Sequence, residues 1–166
     1  MIRKAEQRDC VNLAAMSLQV WLDTYAIQGL RTQLSQYVLS TFTESHFSQL
    51  LNQDVIEIIV YEAENHLVGF IVVDLSSRFE QCERYGYEVA TLYISRHFQG
   101  QGIGRKLLQE IECLYGAPFW VSVWVNNEAA IQFYHQFDFQ RVGELHFHLE
   151  GERHRNDVFS YFGREA

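Results

Sequence analysis

The segment from Gln99 to Gly104 sets Gly100, Gly102 and Gly104 at alternate positions, directly behind the apolar run VATLYIS and ahead of a leucine-bearing run that reads as a helix. Glycines at a strand-to-helix junction leave the backbone amides uncovered, and the helix dipole there favours negative charge. The segment therefore reads as an anion cradle for a phosphate-bearing ligand. Two common phosphate loops do not fit. A triphosphate loop needs Gly-Lys followed by Ser or Thr, whereas Gly104 is followed by Arg105, Lys106 and Leu107. A dinucleotide loop needs a third glycine where Arg105 stands, counting from Gly100, or Leu107, counting from Gly102.

The elements that must hold this loop are legible as alternating helix and strand signals. MIRKA reads as a short strand, and RDCVNLAAMSLQVWLDTY as a helix with Val11, Ala14, Ala15, Leu18 and Leu22 at helical spacing and Asp9 at its N-cap. RTQLSQYVLSTF and TESHFSQLLN read as two shorter helices, the second opened by Thr43. The β-branched runs VIEIIVYEA and HLVGFIVVDLS form a hairpin across the dipeptide EN. YGYEVATLYIS and PFWVSVWV then flank a long helix as a β-α-β unit. After the helical NNEAAIQFYHQF, the runs FQRVGELHFHLEG and DVFSYFG close the sheet as an antiparallel pair joined by the polar stretch ERHRN. The expected fold class is α/β (α+β): one domain over residues 1–166, with a mixed, mostly antiparallel central sheet flanked by helices.

The pattern Gln99-x-x-Gly102-x-Gly104 after LYIS resembles the acyl-coenzyme A loop of the GNAT family of N-acetyltransferases. A second segment, VNNEAAIQFYHQFDF, repeats that family's downstream order with Asn127, Ala130, Tyr134 and Phe139. One departure is Asp138, where the family usually has glycine; an Asp tolerates left-handed backbone angles, so the turn survives. The resemblance covers roughly residues 54–163.

It implies acetyl-CoA as co-substrate. The amides of Gln99, Gly100, Gln101, Gly102, Ile103 and Gly104 would hold its pyrophosphate, with Arg105 and Lys106 adding charge. The pantetheine arm would pair with Leu92, Tyr93 and Ile94 as an added strand. Asn127 is a further coenzyme contact in the family and also a natural helix N-cap, two roles that coexist.

Acyl transfer to nitrogen sets its own requirements. A primary amine is protonated near neutral pH, so a base must take its proton, an acid can protonate the departing thiolate, and the carbonyl oxygen needs a donor as it gains charge. A backbone amide near Tyr93 or Ile94 is the candidate donor. Tyr134 matches the family's general acid; without the resemblance it reads as a core aromatic beside Ile131 and Phe133. Strict alternation puts Glu88 on the same strand face as Ala90, Leu92 and Ile94, where it is either a proton relay through water or a solvated strand-end carboxylate.

For the acceptor, Trp21, Asp23 and Tyr25 with Glu150 and Glu152 read as an aromatic, acidic pocket for a cationic amine. The competing reading is a core Trp21 and a solvated turn. The WLDTY region resembles that of small-amine and polyamine acetyltransferases, so the expected activity is acetylation of a small or polyamine-like amine by direct attack. A protein or peptide N-terminal acetyltransferase and a non-catalytic acyl-CoA sensor are the alternatives.

Composition bounds the rest. With 48% hydrophobic and 20% charged residues in 166, the chain suits one globular domain. Thirteen basic against 21 acidic side chains, a net −8, argue against nucleic acid as a partner. Cys10, Cys82 and Cys113 are too scattered for a metal knuckle, and His146, His148 and His154 do not form a closed ligand set, so no metal is expected. The absence of a signal-like or membrane-length apolar run makes the cytoplasm the expected location and excludes a membrane partner. Strand edges and the aromatic DVFSYFG suggest a homodimer.

Overall fold

The computed structural model describes residues 1–149 and 151–164. Among these, seven strands are β1 (Ile2–Lys4), β2 (Ile56–Ala63), β3 (His66–Asp74), β4 (Tyr87–Ile94), β5 (Phe119–Trp124), β6 (Gln140–Leu149) and β7 (Glu152–Tyr161). Five helices are α1 (Cys10–Tyr25), α2 (Thr32–Thr41), α3 (Glu44–Leu51), α4 (Ile103–Tyr115) and α5 (Glu128–Gln136). The strands form one sheet in the order β1-β2-β3-β4-β5-β7-β6. β4 and β5 run parallel around α4, while β1–β2, β5–β7 and β6–β7 run antiparallel, giving the mixed, mostly antiparallel sheet expected. The chain divides into two compact units, Met1–Val72 with Thr91–Leu108, and Val73–Ala90 with Gln109 onward.

In the first unit the EN dipeptide makes a two-residue hairpin turn, with φ of 50° at Glu64 and 64° at Asn65. Two left-handed residues match the right-handed twist of the flanking strands. The core packs Cys10, Leu13, Ala14 and Met16 of α1 and Phe47 of α3 against Ile58, Val60, Phe70 and Val72 of the sheet. The buried stripe of α1 is displaced from the expected one: Val11 is 54% exposed and Ala15 is exposed, while Cys10, Leu13, Ala14 and Ser17 are buried. A serine is tolerated inside because its hydroxyl donates to the Leu13 carbonyl at 2.7 Å. Asp9 precedes α1 as expected, yet its side chain does not cap the helix. It takes a bidentate pair from Arg3 at 2.7 and 2.9 Å and the Glu6 amide at 2.7 Å, and the guanidinium holds its carboxyl below the usual range. Thr43 does cap α3, accepting the His46 amide at 3.1 Å.

In the second unit Phe119 of β5 and Tyr161 of β7 pack with Phe137 and Phe139 behind α5. On the other sheet face the β3–β4 loop drops Phe79 onto Trp120 and Val158. The stretch ERHRN is not a linker; it is the first half of β7, and the turn falls ahead of it at Gly151. Charged residues are accommodated there by cross-strand partners: Arg141 meets Asp157 at 3.1 Å, Arg155 meets Glu144 at 3.8 Å, and His154 stacks on Phe147 with ring centroids 5.0 Å apart. Of the cysteines, Cys10 is buried, Cys82 half-buried and Cys113 exposed.

Candidate active site

The glycine loop is built by one 3-10 turn and one helix start. β4 ends at Ile94, the Ser95 amide just after it donates to the Val68 carbonyl of β3 at 2.8 Å, and residues Arg96–Phe98 form the turn. Gln99 reaches back to the Ile94 carbonyl through Nε2 at 3.2 Å, tying the loop to the end of the strand. Gly100 and Gly102 then adopt φ of 74° and 77°. A Cβ at either would meet no atom within 4 Å, so what these glycines face is open space. The Gly102 carbonyl accepts the Lys106 amide at 3.0 Å and opens α4. Ile103 and Gly104 open α4, where the first N–H groups of a helix point away from its own acceptors, as an anion site requires. Gly104 itself lies inside α4. Lys106 is held by Tyr61, with Nζ 3.5 Å from the phenol oxygen and 5.7 Å from the ring centroid.

β4 is the other half of this arrangement. Within the second unit its ladder with β5 comprises Tyr87↔Phe119 and Glu88↔Trp120, with Val89 and Ala90 beyond its last pair. Tyr87 points at α4, its hydroxyl donating toward the Ile111 carbonyl at 3.3 Å and the Gly116 carbonyl at 2.9 Å. Ile94 points at α4 as well, its Cδ1 packed with Ile103 around Gly69. Residues seven apart on a regular strand face opposite ways. The alternation therefore breaks once inside β4, and Glu88 does not share a face with Ile94 as strict alternation required. Glu88 faces the side of Trp120 and the Phe79 loop instead. Burial raises its carboxyl pKa, a hydrogen bond from Ser77 opposes the shift, and the charge of Asp74 adds to it.

The remaining expected residues fall as follows. In the first unit Leu92 and Tyr93 lie half-buried on the last half of β4. The Tyr93 phenol accepts the indole N–H of Trp21 at 2.8 Å, and burial raises its pKa. Trp21 and Tyr25, one helical turn apart, pack at 4.6 Å between centroids; Tyr37 and Phe42, neither of them anticipated, join Trp21 at 5.0 and 5.5 Å. Burial pushes the Tyr25 phenol up to about 12. Asp23 is exposed, and two residues of helix turn it away from both aromatics, so the structure does not bring it into the cluster.

In the second unit Asn127 caps α5, its Oδ1 accepting the Ala130 amide at 3.2 Å. Tyr134 is 8% exposed, with ring centroids of Phe133 and Phe139 at 5.2 and 5.0 Å. Glu152 is exposed at the start of β7, and Glu150 lies outside the described residues. The sequence reading missed Ser122 and Asn156. The carboxamide of Asn156 donates to Ser122 Oγ at 2.9 Å across 34 residues, and only the placement of β7 beside β5 reveals it.

The fold thus joins a short parallel β4–β5 ladder to a left-handed glycine loop set between β4 and α4. Residues 54–141 match the acetyltransferase (GNAT) domain, and the chain belongs to that family. It is 34% identical over 93 residues to a probable spermine N(1)-acetyltransferase of Bacillus subtilis subsp. natto (strain BEST195), an alignment covering 52% of this chain and 61% of that protein. It is 37% identical over 78 residues to the N-alpha-acetyltransferase RimI of Mycobacterium tuberculosis (strain ATCC 25618 / H37Rv), covering 46% and 48%. The chain thus spans about half to three fifths of the length of these curated relatives. Its fold is that of the PaiA N-acetyltransferase from Thermoplasma acidophilum in complex with coenzyme A, at a TM-score of 0.76, 18% identity and 98% coverage of both chains.

Proposed function

We propose that this chain is an acetyl-CoA-dependent N-acetyltransferase, a single domain of that kind over its 166 residues, and that its acceptor is a small cationic amine of polyamine type. The observation that carries the reading is the pair of left-handed glycines facing open space between the end of β4 and the start of α4. A backbone shaped at a conformational cost and covered by nothing is what a diphosphate needs. Leu92, Tyr93 and Ile94 at the end of β4 offer main-chain groups to the pantetheine arm, as strand addition does elsewhere. Lys106, braced by Tyr61, adds positive charge beside the loop. The likeness to a probable spermine N(1)-acetyltransferase supports the polyamine acceptor.

In the proposed reaction Glu88 is the base and Tyr134 the acid. A carboxyl raised above the usual range gains basicity where the ammonium must be deprotonated, while Tyr134 supplies the proton for the leaving thiolate. The sign follows: only ionised Glu88 accepts a proton, so kcat/KM rises as pH climbs through its elevated pKa and falls below it. Trp21, Tyr25 and their ring neighbours supply an aromatic wall for a cation. RimI favours a second reading, acetylation of a protein N-terminus. A panel of spermine, spermidine, simple monoamines and a peptide with a free N-terminus, read by thiol release, separates them. Highest kcat/KM on the polyamines is expected; preference for the peptide establishes the second reading, and coenzyme binding with no turnover on any acceptor establishes a sensor.

A further inference from the structure

Glu88 is not alone on its sheet face. Its register partner is Trp120, and the next β5 residue on the same side is Ser122, placed just past that last β4–β5 pair. Ser122 pairs with Val158 on β7, and Asn156, two residues along β7 on that same side, donates its carboxamide N–H to Ser122 Oγ at 2.9 Å. The Asn156 carbonyl oxygen is buried with no hydrogen-bond partner. A carboxamide that forgoes its acceptor while keeping its donor on one hydroxyl fixes what that hydroxyl can still do. A serine oxygen has two lone pairs and one proton. With one lone pair taken by Asn156, Ser122 keeps one site that accepts and one that donates.

We propose that Ser122, oriented by Asn156, is a hydroxyl relay that passes the acceptor ammonium's proton toward Glu88. The inference rests on the reading of the chain as an N-acetyltransferase with Glu88 as base. The ammonium N–H gives its proton to the Ser122 oxygen as the Ser122 O–H gives its own to one intervening water. That water gives a proton to the Glu88 carboxylate, which ends as the neutral acid, and the nitrogen keeps the electron pair it uses on the thioester carbon. Parallel strands about 4.8 Å apart and a two-residue offset of about 6.6 Å separate the two backbones by roughly 8 Å, a span that two side chains and one water fill. Around Glu88 the polar and charged groups are Ser77 and Asp74, and Trp120 covers it from β5. Beyond Asn156 the next side chain on this face of β7 is His154, which sits against Trp124 at 5.9 Å between centroids.

Three variants test the relay on the amine that the parent uses best, with folding checked by melting temperature. Ser122→Ala removes the hydroxyl and is expected to lower kcat at least tenfold. It should also erase the acidic limb that Glu88 imposes on kcat/KM, because the base is no longer connected. Ser122→Thr restores the hydroxyl and should recover most of the rate and the limb. Asn156→Asp keeps the shape and the contact but reverses it: a carboxylate can only accept, so the serine proton turns to it and no outgoing proton is left. Its kcat should fall as in Ser122→Ala while the acceptor KM stays level or drops. Parental kcat and pH profile in both Ser122→Ala and Asn156→Asp overturn the relay while leaving the acetyltransferase reading intact. If Ser122→Ala does not fold, Asn156→Asp alone decides. A parent that turns over no amine removes the acetyltransferase reading and the relay with it.

Discussion

Two pairs of glycines show the difference between a backbone pressed against its own chain and one that faces open space. Gly86, with φ 76°, lies under the Pro118 carbonyl, where a Cβ would come within 1.7 Å of the oxygen; at Gly143 a Cβ would come within 2.6 Å of the Phe79 ring. Gly100 and Gly102 have nearly the same φ as Gly86 and nothing in front of them. A positive φ costs every non-glycine residue something. At Gly86 and Gly143 the cost of a side chain is explained by atoms of this chain. At Gly100 and Gly102 no such atoms lie within 4 Å, as at the turn glycines Gly29, Gly116 and Gly151, and what sets the loop pair apart is its place between the end of β4 and the start of α4.

The largest expected effect is on the packed side. Gly86→Ala forces a methyl against a main-chain oxygen, where ordinary contact begins near 3.4 Å, and Gly86 links the β3–β4 loop to the strand that pairs with β5. A loss on the order of 4 kcal/mol or more is expected, a large share of a typical domain's stability, so thermal unfolding should show little or no folded protein at 37 °C. A melting temperature within a few degrees of the parent would mean that the loop yields and that Gly86 is not a fold-defining position.

Tyr134 stands between the two kinds of position, because its ring is packed while its hydroxyl is assigned chemistry. Tyr134→Phe keeps the contacts with Phe133 and Phe139 and removes one oxygen. If that oxygen protonates the thiolate, kcat and kcat/KM should both fall on the order of 10²-fold with coenzyme affinity unchanged. An unchanged rate with chemistry limiting would return Tyr134 to the core. Next in size is Gly102→Val. It should fold, at a conformational cost of roughly 1–2 kcal/mol, and weaken acetyl-CoA binding at least about tenfold by calorimetry. Unchanged affinity in a folded variant would erase the distinction between the glycine pairs.

The open side of this comparison is also the side that the sequence displays. Gln99, Gly102 and Gly104 are close in the chain, follow a strand and precede a helix, so local spacing carries the information. The EN turn is legible for the same reason. What is not legible depends on partners far away in the chain. Nothing in ERHRN announces a strand until Glu144 of β6 partners Arg155 from across the ladder and Arg141 of β6 pairs with Asp157 just beyond the stretch. The stripe of α1 shifts because Ser17 can satisfy its own hydroxyl within the helix and be buried, while an apolar Val11 is left outside. Glu88 was placed on the wrong face because alternation fails inside β4. The Ser122–Asn156 contact exists only because β7, not β6, lies beside β5.

Asp138 supplies the smallest and sharpest test, since it holds a left-handed angle of φ 66° without being glycine. It terminates α5 in a closed pattern: the Asp138 amide donates to the His135 carbonyl and the Phe139 amide to the Tyr134 carbonyl, both at 3.1 Å, while Phe139 packs on the Tyr134 ring. That is the hydrogen-bond scheme in which glycine is the favoured residue at the left-handed position. The carboxylate also sits at the negative end of the α5 dipole. Asp138→Gly removes both penalties and gives back part of the gain as greater freedom of the unfolded chain. The net stabilisation should be about 0.5–1 kcal/mol, or roughly 1–4 °C in melting temperature. Asp138→Ala keeps the steric penalty and loses the tolerance that a short polar side chain has for this angle, so it should melt below the parent. Opposite signs for the two variants would show that backbone conformation alone governs this turn, as packing governs Gly86. Equal shifts would show that the charge does, and would remove Asp138 from the set of positions where a glycine is wanted.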